Sequence, residues 1–293
     1  MSEEILINFT PIETRVAVIE NGMPQVIYVE RAERRGIVGN IYKGKVVRVL
    51  PGTQAVFVDI GLERAAFIHV DELQHPEDDS NGANGKSSLT INRLLREGQS
   101  LIVQVTKDPL GTKGARLTTN LSIPSRYLVY MPGNEHIGIS QRIEDSDERE
   151  RLRTAVEEVV AGMGDKNTKV GGFILRTVSE GVSEAELKQD ILFLCRLWES
   201  ISRKVEEYSA PSCIYEDLPL NMRALRDMAH GGIERIRVDS KETFQRSQQF
   251  AEALVPEISG ILEYYPGERP IFDLYNIEEE IQKALGRKVE LKS

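Results

Sequence analysis

With 293 residues, 40% hydrophobic and 28% charged, the chain has the make-up of a soluble globular protein with room for one to three domains. Its formal net charge of −9 means that any contact with nucleic acid has to come from a local reversal of charge rather than from the whole surface. No apolar run approaches the roughly 20 residues of a membrane span, and MSEEILINFTPIETR lacks a signal peptide's layout. Cys195 and Cys213 stand too far apart for a CxxC site, so the expectation is a cytoplasmic protein with two buried thiols and no structural zinc of its own.

Three strands open the chain, Glu4–Phe9, Arg15–Glu20 and Pro24–Glu30, with Asn21-Gly22 as the hairpin turn between the last two. A sheet of about 30 residues cannot close a core by itself and has to borrow a partner from later in the chain. Glu4, Glu13 and Glu20 show no spacing that would make them converge on a metal.

From Gly39 to about Leu121 the pattern is that of a small antiparallel barrel, with strands Asn40–Leu50, Gln54–Ile60, Arg64–Val70, Gln99–Lys107 and Ala115–Leu121. Val56, Val58 and Ile60 alternate with Ala55, Phe57 and Asp59, and Ala66, Ile68 and Val70 alternate with Ala65, Phe67 and His69. A hairpin centred on Leu62 sets Phe57 directly opposite Phe67. Their face also carries an acid and an imidazole, so it reads as the solvated one, where two aromatics form a stacking platform for single-stranded nucleic acid. The alternative is an aromatic pair half-buried under a loop.

Charge favours the platform. Seven basic residues between Arg31 and Arg64, Lys43 and Lys45 among them, face only Glu33, Asp59 and Glu63. Lys113, in the glycine-flanked turn LGTKG, becomes a phosphate contact on such a barrel, although a turn lysine is ordinarily just solvated. The stretch Gln74–Asn92, rich in Asp, Ser, Asn and Gly, reads as a mobile loop between strands.

Beyond Ile123 helix and strand mix. Asp145 and Ser183 each begin a capping-box pattern, the first ahead of Leu152, Val156, Val159 and Met163 before Gly164. The second precedes a long stripe of Leu187, Ile191, Leu194, Trp198, Ile201 and Val205, with Trp198 as a core residue. Gly171–Gly181 reads as a short buried strand ending in Arg176-Thr177. An arginine fork beside a hydroxyl can cradle a phosphate; equally, an arginine among so many acids can pair with one of them. A helix from Pro219 carries Met222, Leu225, Met228 and Ile233, RIRVDS returns to a strand, and Asp273–Arg287 forms a last amphipathic helix. His69, His75, His136 and His230 show no metal-ligand spacing.

The run RRGIVGNIYKGKVVRVLPGTQAVFVDIGLERAAFIHVDEL resembles the start of the S1-type RNA-binding domain of the ribonuclease E/G family. LIVQVTKDPLGTKGARLTTNLSIPSRYLVYMPG and the closing IFDLYNIEEEIQKALGRKVELKS continue the similarity, which covers essentially the whole chain. It implies an α+β multi-subdomain fold: a ribonuclease-H-like subdomain split between 1–38 and 211–280, with an S1-type OB-fold β-barrel over 39–121 and a 5′-sensor α/β subdomain over 122–210 inserted into it, and 281–293 leading onward. In the family the ribonuclease-H-like part is structural, and RNA is contacted at the position of Lys113. The matching Arg-Thr binds a 5′-monophosphate, which assigns that role to Arg176 and Thr177, with Ser125 to Val129 holding the terminal nucleotide. Here Ser125 stands where the ribonuclease E branch of the family has glycine, and Gln141, next to Arg142, stands where that branch has arginine. Gln141 is either a loss of charge or a handover to Arg142, and a loss would make sensing weaker than in that branch.

In this family RNA is cut by a DNase-I-like domain whose aspartates and asparagine hold Mg2+, and cysteines carry an inter-subunit Zn2+; both sets come after the ELKS segment. The implied protein is therefore a single-strand-specific endoribonuclease stimulated by a 5′-monophosphate, acting in rRNA 5′-end maturation and mRNA decay. This chain is its RNA-binding part, with no catalytic residue, inactive alone and oligomeric only together with the catalytic part. Two other readings are a non-catalytic RNA-binding adaptor and a metal nuclease built on the ribonuclease-H-like subdomain.

Overall fold

The structure, a computed structural model, describes residues 2–73, 91–163, 171–228 and 232–288. The loop expected from Gln74 falls outside them up to residue 90, as do His75, Gly164, His230 and the last five residues. The chain divides into two units, Met1–Arg35 with Leu218–Ser293, and Gly36–Asp217.

The expected N-terminal meander forms, as β1 (Glu3–Phe9), β2 (Glu13–Glu20) and β3 (Met23–Arg31). Asn21 and Gly22 both take positive φ, 49° and 77°, the pair of left-handed residues that a type I′ hairpin demands. β1 buries both of its faces, Ile5 and Ile7 into one apolar cluster and Leu6 into another, so it needs a layer on each side.

The second unit opens with β4 (Ile41–Leu50), β5 (Ala55–Asp59), β6 (Ala66–His69), the single helical turn α1 (Ile91–Leu94), β7 (Ser100–Lys107) and β8 (Arg116–Thr118). The strands run β4-β5-β6-β8-β7, and pairing of β7 with β4 closes a five-stranded barrel in which only β6 and β8 are parallel. Val46, Val56, Val58, Ala66, Ile68, Val103, Val105 and Leu117 fill its interior, with Ile91 from α1.

A second sheet comes next, from β9 (Ile123–Pro124), β10 (Leu128–Met131), β11 (Ile137–Ile139) and β12 (Gly172–Leu175), in the order β11-β12-β10-β9 with β11 and β12 parallel. Helices α2 (Ser146–Met163) and α3 (Glu184–Glu207) pack on one face, where Leu152, Val156, Leu187, Ile191 and Leu194 meet Leu128, Tyr130, Phe173 and Leu175. The capping box at Ser183 and Glu186 forms as expected. Trp198 is partly buried against this core, its ring centroid 6.3 Å from that of Tyr130. β13 (Ser212–Tyr215) then adds to the side of β4. Cys213 on it is exposed and Cys195 only half-buried, so the expectation of two buried thiols does not hold.

At α2 the expected capping box is only half made. Asp145 accepts from the Asp147 and Glu148 amides, but Glu148 does not reach back to it. Its carboxylate takes the Arg151 guanidinium in a fork, at 2.7 and 2.8 Å, together with the Gly181 amide at 2.8 Å, while Arg151 donates to Val182 O. The fork and the amide hold the Glu148 carboxyl down to about 2, from 4.5. Because the folded value is depressed, this contribution is present above pH 4.5 and disappears as pH falls through about 2. Discounted for partial exposure, Glu148→Gln should cost about 1 kcal/mol near neutral pH. Thermal melts of both proteins should show more than half of that difference gone by pH 3; a gap unchanged from pH 7 to 3 would rule the fork out as its source.

The chain returns to the first unit with α4 (Leu220–Asp227), β14 (Ile233–Val238), α5 (Lys241–Leu254) and β15 (Leu262–Tyr264). Ile233 is therefore the first residue of a strand, not part of the helix. The completed sheet is β15-β14-β1-β2-β3, antiparallel on the β2–β3 side and parallel through β1, β14 and β15. Residues of α4 and α5 cover one face. On the other lie Ile271, Phe272 and Ile277. In one continuous helix Ile271 and Ile277 would point about 120° apart. Asn276, at φ 53°, breaks the expected Asp273–Arg287 helix into a 3-10 turn, Ile271–Tyr275, and α6 (Ile277–Ala284), so that both residues can reach the sheet.

Candidate nucleic-acid interface

On the barrel, Phe57 lies directly opposite Phe67, both half-buried on the outer face, while Val56, Val58, Ala66 and Ile68 are sealed inside. The row extends across four strands: Arg48 pairs with Phe57 in register, and Phe67 pairs with Arg116. Arg116 bonds Glu72 at 2.8 Å, whereas Arg48 is exposed. Strict alternation from Lys43 and Lys45 would turn Arg48 inward. A register shift between Val46 and Arg48 turns it out. This residue was not singled out from the sequence, and alternation alone could not have found it.

Beside the aromatic pair opens a cleft of about 580 Å³ lined by Phe57, Phe67, Arg64, Lys113 and Gly114, among others. Gly114 lies so close to the next strand that a Cβ there would sit 2.0 Å from the Ala65 carbonyl oxygen, and only glycine lets the 110–114 turn approach. Arg64 donates to the Gly111 carbonyl and fastens the turn to the barrel. Lys113 is thus presented, exposed, at the cleft's edge. Lys113→Ala should weaken RNA binding for all sequences alike and flatten log K against log salt by about 0.7, the share of a single phosphate neutralised on a single strand. An unchanged slope in a salt titration would leave Lys113 as a solvated turn residue.

The two strand lysines part company. Lys45 is exposed opposite Asp59. Lys43 instead donates to the Val205 and Tyr208 carbonyls, at 2.7 and 2.8 Å, and neutralises the negative end of α3. Its ammonium is committed there, and it is withdrawn from the RNA-contacting set expected from the sequence.

The second site stands where the parallel strands β11 and β12 end side by side. Thr177 Oγ1 lies 3.0 Å from Ser140 Oγ, and Arg176 donates from Nη1 to the carbonyls of Ser125 at 2.7 Å and Arg126 at 3.1 Å. Val129 pairs with Ile174 on the sheet's outer face, next to Gly138. The apolar wall therefore has two members. Ile174, 37% exposed, was hidden by the reading of Gly171–Gly181 as a buried strand. Gln141 and Arg142 are exposed in the turn after β11, where the Arg142 amide donates to Ser140 Oγ at 3.4 Å.

Ser125 is fully buried, and its hydroxyl is 2.6 Å from the Asp190 carboxylate, to which it donates. Its carbonyl accepts from the Arg176 guanidinium. Burial pushes the Asp190 carboxyl up, against the Ser125 hydroxyl and the backbone amides of Tyr127, Leu128 and Arg126 that favour its charge. The arrangement has the parts of an anion site: a guanidinium held in place by carbonyls, two hydroxyls, and an apolar floor for what the anion is attached to.

Elsewhere, Glu4 is buried against Arg235 at 2.8 Å and Arg237 at 3.7 Å rather than against other acids. Among the described residues no three His, Cys, Asp or Glu side chains come together as a metal site, and no helix is long and apolar enough to cross a membrane.

The profile of the S1 RNA binding domain matches residues 37–119, the stretch that builds the barrel, so the aromatic row and its cleft lie on a domain of that class. The profile of the Ribonuclease E/G family matches residues 122–293. The chain belongs to the ribonuclease E/G family. It is 52% identical to ribonuclease G of Escherichia coli (strain K12) over 295 residues, spanning all of this chain and 59% of that protein. Ribonuclease G of Haemophilus influenzae is 50% identical over 99% of the chain and 58% of its own length. Ribonuclease E of Escherichia coli is 36% identical over 99% of the chain and 27% of its own length.

Proposed function

We propose that this chain is the RNA-binding and 5′-end-sensing part of a single-strand-specific endoribonuclease of ribonuclease G type, stimulated by a 5′-monophosphate, with rRNA 5′-end maturation and mRNA decay as its tasks. The observation that carries the proposal is the row Arg48–Phe57–Phe67 beside the Lys113 cleft, because stacked aromatics between cations suit a flexible, unpaired strand. The terminal phosphate is assigned to Arg176 and Thr177, its nucleotide to the Val129–Ile174 floor, and Arg142 rather than Gln141 supplies the added charge. The order β3-β2-β1-β14-β15, half antiparallel and half parallel, supports a ribonuclease-H-like scaffold, and the arginines around Glu4 favour a structural role for it.

In this reading Mg2+ and the inter-subunit Zn2+ belong to the additional length that the relatives possess, together with oligomerisation. The described residues offer neither ion a ligand set, and no bond-breaking step is assigned to them. The test is a titration of one single-stranded RNA, in 5′-monophosphate and 5′-hydroxyl forms, against the 293-residue chain, with a subsequent incubation in Mg2+. Binding of both forms, a preference for the monophosphate and no cleavage are expected. Failure to bind either form would defeat the RNA reading. Equal affinities would defeat the 5′-end assignment alone, and cleavage would favour a nuclease centre in the scaffold.

A further inference from the structure

Asp190 lies on α3, between the apolar residues Leu187 and Ile191, and is only 4% exposed. A carboxylate on the buried stripe of a helix is costly unless its oxygens are met by donors. Here one oxygen, Oδ2, accepts from Ser125 Oγ at 2.6 Å, the Tyr127 amide at 3.0 Å and the Leu128 amide at 3.1 Å. The Arg126 amide bonds to the carboxyl as well. The loop between β9 and β10 is wrapped around this one side chain.

The other side of that loop is where Arg176 is held. A trans peptide points its N–H and its C=O in opposite directions. The Arg126 amide shares a peptide plane with the Ser125 carbonyl, and the Tyr127 amide shares one with the Arg126 carbonyl. Both N–H groups turn toward Asp190, so both carbonyls turn away from it, and both accept from Arg176 Nη1. Two successive peptide units thus connect a buried carboxylate to an arginine just past the end of β12. Hydrogen bonds in series polarise one another, and a negative charge at the far end strengthens the carbonyls that grip the guanidinium.

We infer that Asp190 is a positioning residue for the 5′-phosphate site, fixing the Arg176 guanidinium through the Ser125–Tyr127 peptides. The inference rests on the assignment of Arg176 to a terminal phosphate. A guanidinium recognises phosphate through a fixed fork, so the direction of its plane is part of the recognition. Asp190 touches no RNA; it sets the direction from behind the loop. Ser125, where the ribonuclease E branch has glycine, adds a hydroxyl to the same carboxylate and holds the loop more firmly.

The decisive variant is Asp190→Asn, nearly isosteric but unable to present a charged oxygen to four donors. On protein with a cooperative thermal transition, the ratio of affinities for 5′-monophosphorylated over 5′-hydroxyl RNA should fall from about tenfold to about threefold or less, and 5′-hydroxyl RNA should bind within about twofold of wild type. Combined with Arg176→Ala, Asp190→Asn should change nothing further, because the two act through one contact. A merely stabilising residue would leave the ratio of the folded protein unmoved. An unchanged ratio in Asp190→Asn, or a further loss in the double variant, overturns the inference. If Asp190→Asn does not fold, Ser125→Ala decides: a ratio reduced by about half supports the inference and an unaltered one overturns it. No preference in wild type, or a preference surviving Arg176→Ala, would instead defeat the 5′-end assignment itself.

Discussion

Replacing Phe57 and Phe67 together by alanine is expected to produce the largest loss of RNA binding of any pair of substitutions on the barrel. Each base stacked on an aromatic ring is worth about 1–3 kcal/mol, so losing two stacked bases, about 2–6 kcal/mol, should weaken binding of a single strand by about 25-fold or more. The fold should survive. The two rings share the outer face with Arg48 and Arg116, while the closed interior is built by Val56, Val58, Ala66 and Ile68 from the opposite side of the same strands. Fluorescence anisotropy with a short single-stranded RNA measures the first part, and a thermal melt the second. A variant that no longer unfolds cooperatively would mean that the rings belong to the core, and a folded variant with unchanged affinity would take the platform off the RNA path.

The second large effect falls on selectivity. Arg176→Ala should abolish the preference for 5′-monophosphorylated RNA and leave binding of the 5′-hydroxyl form nearly intact, because the barrel holds the body of the strand. Charge-assisted hydrogen bonds are worth about 1.5–3 kcal/mol each. At this open strand end part of the guanidinium is already engaged by the Ser125 and Arg126 carbonyls. The expected preference in wild type is therefore roughly tenfold, near 1.4 kcal/mol. Arg176→Lys should restore only part of it, since an ammonium keeps the charge without the fork and cannot span both carbonyls and a phosphate. Titrating both RNAs against the three proteins separates the cases. A lysine variant as selective as wild type would show that charge alone is read.

What could be derived from the sequence lies within a few residues of itself. Asn21-Gly22 dictated a hairpin because only left-handed backbone at both positions closes that turn, and the period of two around Leu62 set Phe57 against Phe67. Ser183 and Glu186 cap α3 across three residues, and the stripe from Leu187 to Val205 needed only a repeat near 3.6. The Arg176-Thr177 pair was visible too, although its assignment came from family resemblance rather than from spacing.

The tertiary structure decided what depends on residues far apart. Lys43 reads as one more cation of the barrel until the end of α3, more than 160 positions later in the chain, takes its ammonium. Arg48 faces outward because a bulge shifts the register, and Asn276 breaks the last helix because two apolar residues must meet one sheet. Asp190 looks like an interruption of an apolar stripe until the β9–β10 loop surrounds it with donors. A charged group is settled by whichever partner best repays the loss of water, and that partner is chosen by the packing of the whole unit rather than by its neighbours in the sequence.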